Sequence, residues 1–222
     1  MSYRVKLFSF VFGAIAVLLV SNVAYSKLET FGQLRIVEAD RDGWQRPSNV
    51  IKALDLKPGD VVADVGCGSG YFTLRLSQPV GPHGRVIAED IRRLPLVFLW
   101  LRASARHDHN VSVTVGADKD PQLPARVNAV LISNTYHEFT DARSVLVHVY
   151  NSLVPGGRLV IVDREPKLSK SSAVDLGNHE ISANIVESDL RAANFDLVSE
   201  QDNFVPQDSY GETWWLITAQ KP

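Results

Sequence analysis

Residues 63–72 read ADVGCGSGYF, and the reading of the whole chain turns on them. Three glycines at alternate positions, Gly66, Gly68 and Gly70, follow the apolar run Val61-Val62-Ala63 and an acid, Asp64. A dinucleotide-binding turn has the spacing G-x-G-x-x-G, in which the third glycine lets the helix pack on the first strand. Counted from Gly66, that third place holds Tyr71, and the glycine stands one residue early at Gly70. A P-loop needs Lys followed by Ser or Thr after its glycines, and none follows here. The loop therefore suits a ligand that lies over the backbone without phosphates to bind.

Outward from the loop, two kinds of apolar run alternate. Short β-branched runs at 61–65, 85–88, 111–115, 129–133 and 158–162 read as buried strands. Between them, 48–54, 71–76, 94–105, 142–153 and 185–193 carry helical spacing. Strand alternating with helix at this pace predicts crossover units and a parallel sheet covered on both faces. The tail departs from that pattern. Residues 195–197 and 212–218 are two further strand candidates without an intervening helix, so they are expected to pair antiparallel. Asn194 reads as a left-handed helix stop. Trp214 and Trp215 adjoin each other in a strand and must face opposite sides, with one expected in the core. Residues 94–107, LPLVFLWLRASARH, are apolar all round, which predicts burial under a neighbour, with membrane contact or a dimer surface as the alternatives.

The chain has 222 residues, 45% of them apolar and 22% charged, with a formal net charge of -2. This suits one globular domain and shows no basic footprint for nucleic acid. The single cysteine, Cys67, excludes an internal disulfide framework and a cysteine-rich metal site, and it reads as a small spacer in the loop. No metal is expected. Residues 1–26 form a separate segment. Arg4 and Lys6 precede the apolar stretch 7–23, and Ala24-Tyr25-Ser26 ends it in small residues. That layout predicts a secretory signal peptide, with an uncleaved N-terminal anchor or a misassigned start as alternatives. The expected location is thus periplasmic or secreted, or membrane-anchored through residues 7–23. Residues 27–222 form the main domain, in which 27–57 are expected to make a helical lid anchored by Trp44.

Five motifs in order carry a resemblance. ADVGCGSGYFTLRL resembles the first motif of class I S-adenosylmethionine-dependent methyltransferases, and GRVIAED (84–90), GADKDPQLP (116–124), VNAVLISNTYHEF (127–139) and VPGGRLVIVD (154–163) resemble the later ones. The resemblance covers roughly residues 40–220. It implies a Rossmann-like α/β fold with a mostly parallel seven-stranded sheet, an antiparallel C-terminal hairpin and helices on both faces. It also implies S-adenosylmethionine as cofactor, held by Asp64, Gly66, Gly68, Gly70, Asp90, Ala117, Asp118 and Asn134. Asp90 would receive the ribose hydroxyls, while Asp118 and the Ala117 amide would hold the adenine. Two departures stand out. The adenine acid is one residue late, and Asn128 occupies a place usually acidic, at a strand start where it bears on folding more than on chemistry.

Methyl transfer from a sulfonium is an in-line displacement in which the protein mainly aligns the partners. A base is needed only when the acceptor must lose a proton, and His137 in NTYHEF is the candidate. Tyr136 and His179 are candidate acceptor-binding residues, weighed against a plain structural role for each. The expected function is methyl transfer to an unidentified small-molecule acceptor. The alternative is an inactive S-adenosylmethionine-binding interaction module, which an exported location would favour because the cofactor is made in the cytosol.

Overall fold

A computed structural model describes residues 34, 36–124, 126–167, 174–175, 179–208 and 210–222. The expected signal or anchor at 1–26 and the first part of the expected lid lie outside these residues. The chain divides into two compact units, 1–43 and 44–222. Helix α1 covers 36–45. No helix among the described residues is long and apolar enough to cross a membrane.

The main unit follows the alternation read from the sequence. The elements run α2 (Pro47–Ala53), β1 (Val61–Val65), α3 (Thr73–Val80), β2 (Arg85–Asp90), α4 (Arg93–Ala105), β3 (Val111–Val115) and β4 (Val127–Ser133). A single 3-10 turn, Tyr136–Glu138, leads to α5 (Ala142–Ser152) and β5 (Leu153–Arg164). The two-residue strands β6 (Val174–Asp175) and β7 (Glu180–Ile181) precede α6 (Ala183–Ala192), β8 (Asp196–Val205) and β9 (Trp214–Gln220). The main sheet has seven strands in the order β3-β2-β1-β4-β5-β9-β8. β1 to β5 are parallel, and β9 pairs antiparallel with both β5 and β8. The chain order reverses between β1 and β4, so the crevice for a ligand opens at the carboxyl ends of those two strands.

Strand side chains alternate between two cores, as a period of two requires. Val130, Ile132, Leu159, Ile161, Trp215 and Ile217 face α5 and α6. Ala129, Leu131, Val160, Val162, Trp214 and Leu216 face α2 and α3. Both tryptophans are therefore buried, where one had been expected in the core. Trp215 donates its ring N–H to the Ile181 carbonyl at 2.9 Å, and Trp214 donates to Asp208 Oδ2 at 2.9 Å. Trp44 stacks at 5.1 Å on Trp214, so the expected lid anchor is seated against the sheet. Asn128 lies at the start of β4, where its side-chain oxygen accepts the Val61 N–H at 2.9 Å and ties two strands together. Asn194 is left-handed, with φ 65°, just past α6.

The expected burial of α4 holds on one face only. Leu96, Leu99 and Ala103 are buried, while Leu94, Val97, Trp100 and Leu101 are exposed. A 13-residue helix laid across one sheet edge can cover a single stripe, and its apolar residues exceed that stripe.

Candidate active site

The glycine turn is built by close approach. Gly66 follows β1 with φ 71°, and a side chain there would run into Thr135. Gly68, with φ 53°, has nothing within 4 Å of the place a Cβ would take, so its backbone is open to a ligand. Gly70 sits against Leu99 of α4. Asp64 is buried below the turn, where its Oδ2 accepts the Thr73 hydroxyl at 2.6 Å and ties β1 to the start of α3. It supports the loop from beneath and does not line the cleft. Cys67 is buried, which pushes its thiol well above the ordinary range, in keeping with a spacer role.

A cleft partly open to solvent lies beside the turn. Its lining carries acids. Asp90 closes β2, is buried, and accepts the Gly68 N–H at 3.0 Å. Its oxygens also take the Arg92 backbone N–H at 2.8 Å and the Arg92 guanidinium at 3.1 and 3.2 Å. Burial raises the Asp90 pKa, but the Arg92 and Gly68 hydrogen bonds outweigh it and hold the carboxyl below its ordinary value. Glu89 behaves in the opposite way. Burial pushes it up to about 8 against the Gly66 N–H at 3.4 Å, and the charges of Asp90 and Asp64 add to the rise. Ile91, Pro121, Phe139 and Val145 give the cleft its apolar walls. Ala117 and Asp118 also line it, and Asp118 Oδ2 accepts the Thr140 hydroxyl at 2.7 Å.

Asn134 supplies a separate sign of a ligand. It takes φ 54° after β4, where its backbone N–H donates to the Val162 carbonyl at 2.7 Å. Its side-chain Oδ1 is buried and has no hydrogen-bond partner among the described residues. A buried acceptor left in that state is costly unless a donor arrives, and a ligand ammonium would be one. A buried ionised acid and apolar side chains in one cleft, with an open glycine backbone and an unpaired acceptor on the turns after β1 and β4, fit S-adenosylmethionine.

Beyond Asn134 the chain turns into the second cluster. His137 is buried, with Nδ1 2.8 Å from Asp163 Oδ1. Asp163 also accepts the backbone N–H of His137 at 3.2 Å and of Arg164 at 2.9 Å. A carboxylate at that distance places the ring proton on Nδ1 and leaves the Nε2 lone pair free. His179 is exposed, with its ring edge-on to His137 at 5.2 Å. Tyr136 goes elsewhere: its ring is buried, its hydroxyl donates to Asp189 of α6 at 2.9 Å, and it takes no part in the cleft. Gly66, Asp90, Ala117 and Asp118 meet in the cleft, while His137 and His179 meet beside Glu138, which lines it. Glu138, a candidate with His137 in NTYHEF, lines it, as do Glu89, Arg92, Thr135 and Phe139, which were not among the sequence candidates. Asp163, the acid ending VPGGRLVIVD, is the partner of His137 that sequence reasoning missed.

This strand order, with a glycine turn after β1 and an acid closing β2 over one cleft, is that of the class I methyltransferase fold. The family model described as a methyltransferase domain matches residues 63–159. That stretch runs from the glycine turn into β5, and over it the chain is similar to S-adenosylmethionine-dependent methyltransferases. It is 30% identical over 118 residues to nocamycin O-methyltransferase of Saccharothrix syringae, covering 53% of this chain and 42% of that one. It is 31% identical over 113 residues to 2-phytyl-1,4-naphtoquinone methyltransferase of Thermosynechococcus vestitus, covering 50% and 48%. A solved S-adenosylmethionine-dependent methyltransferase from Aquifex aeolicus shares the fold with a TM-score of 0.67 at 23% identity, over 79% of this chain and 89% of that one. The chain spans about half the length or less of the curated relatives it matches.

Proposed function

We propose that the protein transfers a methyl group from S-adenosylmethionine to a small-molecule acceptor entering beside Glu138. The observation that carries this reading is a buried, ionised Asp90 lining one cleft with the apolar side chains of Ile91, Phe139 and Val145, next to the open Gly68 backbone that it holds. When bound, the cofactor supplies an electrophilic methyl on a sulfonium. The chain's own residues do the rest. Asp90 receives the ribose diol in place of the exposed Arg92 side chain, because Arg92 and Gly68 already fill its oxygens. Asn134 Oδ1 accepts from the ammonium, and Ile91 and Phe139 exclude water from the base. His137 Nε2 is the basic atom on the acceptor side, aligned by Asp163.

The two relatives named for nocamycin and for a phytyl naphthoquinone support an apolar, oxygen-bearing acceptor. Incubating the full chain with S-adenosylmethionine and a panel of phenols, reduced quinones, thiols and fatty acids tests this. A product heavier by one methyl group is expected by mass spectrometry. Cofactor binding with no product across the panel supports the interaction module instead. Export or anchoring through residues 1–26 is part of the proposal and rests on their signal-like layout. Reporter fusions at residue 30 check it, and activity of a cytosolic reporter alone would sink it.

A further inference from the structure

We infer that His137, Glu138 and His179 form a binding site for one divalent transition-metal ion at the edge of the cleft. The three side chains offer one ligand atom each, all within 4.8 Å of one another. His137 Nε2 lies 3.9 Å from Glu138 Oε1. Two neighbouring residues of the 3-10 turn and one residue just before β7 thus converge, although they stand more than forty positions apart in the chain.

The geometry of His137 argues for a ligand and against a packed core histidine. Its Nδ1–H is spent on Asp163, a carboxylate that is wholly buried and fixed by two backbone N–H groups. The free lone pair is therefore on Nε2, and the ring cannot rotate away from Glu138 without breaking that bond. A carboxylate behind a histidine, setting its tautomer and raising its basicity, is the arrangement that supports metal-bound imidazole. Two imidazoles and one carboxylate suit zinc and its first-row neighbours and do not suit magnesium or calcium, which take oxygen donors.

Bonds of about 2.0–2.2 Å to a tetrahedral ion would bring the ligand atoms to roughly 3.3 Å from each other. The cluster must close by somewhat under 1.5 Å at its widest, and two of its members can move. The Glu138 side chain is 48% exposed and His179 is exposed, whereas His137 is held. Three protein ligands leave a further position for solvent or acceptor. Glu138 lines the cleft, so that position stands beside the proposed acceptor.

This consequence rests on the methyl-transfer reading, whereas metal binding itself does not. An acceptor hydroxyl on the ion loses its proton to solvent more readily than a free one. Its oxygen then forms the O–CH3 bond as the donor's S–CH3 bond breaks, and the donor leaves as a neutral thioether. His137 then acts as a ligand, and the ion does the work otherwise assigned to a base. The acceptors selected are those able to bind a metal, such as hydroxyquinols and catechols.

The test uses the full chain, stripped with a chelator and titrated with Co²⁺. One equivalent is expected to give a visible ligand-field band that Zn²⁺ abolishes. His179→Ala and Glu138→Gln should each weaken Co²⁺ binding at least ten-fold, while His83→Ala, at an exposed histidine elsewhere, should not. His137→Ala is a poor probe because it leaves the buried Asp163 unpaired. A folded wild type without the band, or ligand variants that both bind Co²⁺ as tightly as wild type, overturns the site. Calorimetry with S-adenosylmethionine on the same samples separates the two readings. Cobalt binding without cofactor binding supports the metal site and removes the methyl-transfer role, and the reverse does the opposite.

Discussion

Asp90 and Glu89 are adjacent acids, and their surroundings drive them apart. Asp90 is ringed by donors and stays ionised, so it can accept the ribose hydroxyls at any pH above the ordinary carboxylate range. Glu89 is raised in the fold from 4.5 to about 8. Between those values the folded protein holds a proton that the unfolded chain has released, so stability falls as pH rises from about 4.5 to 8 and levels off above. Urea melts of Glu89→Gln and wild type should match near pH 4.5. By pH 9 the variant should be more stable by on the order of 2–4 kcal/mol. Equal slopes with pH would contradict the burial of that carboxylate. Gly66→Ala should cost at least about 1 kcal/mol, since φ 71° is unfavourable for alanine and its Cβ meets Thr135. Asp90 was legible because it closes a predicted strand, and Ala117 and Asp118 because their motif resembles the family's; all three line the cleft. Glu89 was not. It shares its face of β2 with the core residue Ile87, and only the missing side chain at Gly116 lets it fit there. The His137–Asp163 pair was illegible for another reason: it depends on β4 and β5 being neighbours, which no local pattern shows.

Among the elements, α4 separates pattern from packing. Six apolar residues in a row announce a helix but no face, because a helix apolar on every side has no preferred stripe. The structure chooses Leu96, Leu99 and Ala103. Leu99→Ala should therefore cost about 2–5 kcal/mol in denaturant melts, while Leu94→Ser and Trp100→Ser should stay within about 0.5 kcal/mol. A large loss at Leu94 would mean that a partner covers the helix. The end of α6 was easier to read. Asn194 adopts φ 65°, so Asn194→Gly should be neutral or stabilising and Asn194→Ala should cost about 1 kcal/mol by thermal melt. The tryptophan pair was read half correctly. Alternation put Trp214 and Trp215 on opposite faces, and the second face proved to be core because α2 and α3 cover it.

At the scale of the whole molecule, the pace of strands and helices was enough to predict five parallel strands and a reversed hairpin, and the sheet order agrees. What no local pattern reveals is convergence: the cleft draws on residues from positions 65 to 145, brought together by crossovers on one edge. That convergence is the central claim, and calorimetry of the purified full chain with S-adenosylmethionine tests it most directly, alongside Asp90→Asn. Asparagine keeps an acceptor for the Gly68 N–H and removes the charge that draws the ribose diol. The account predicts one site per chain with a dissociation constant in the micromolar range and a loss of roughly ten- to a hundred-fold in the variant, with its melting temperature little changed. A folded wild type that binds no S-adenosylmethionine, or an Asp90→Asn protein that binds it equally well, would contradict it.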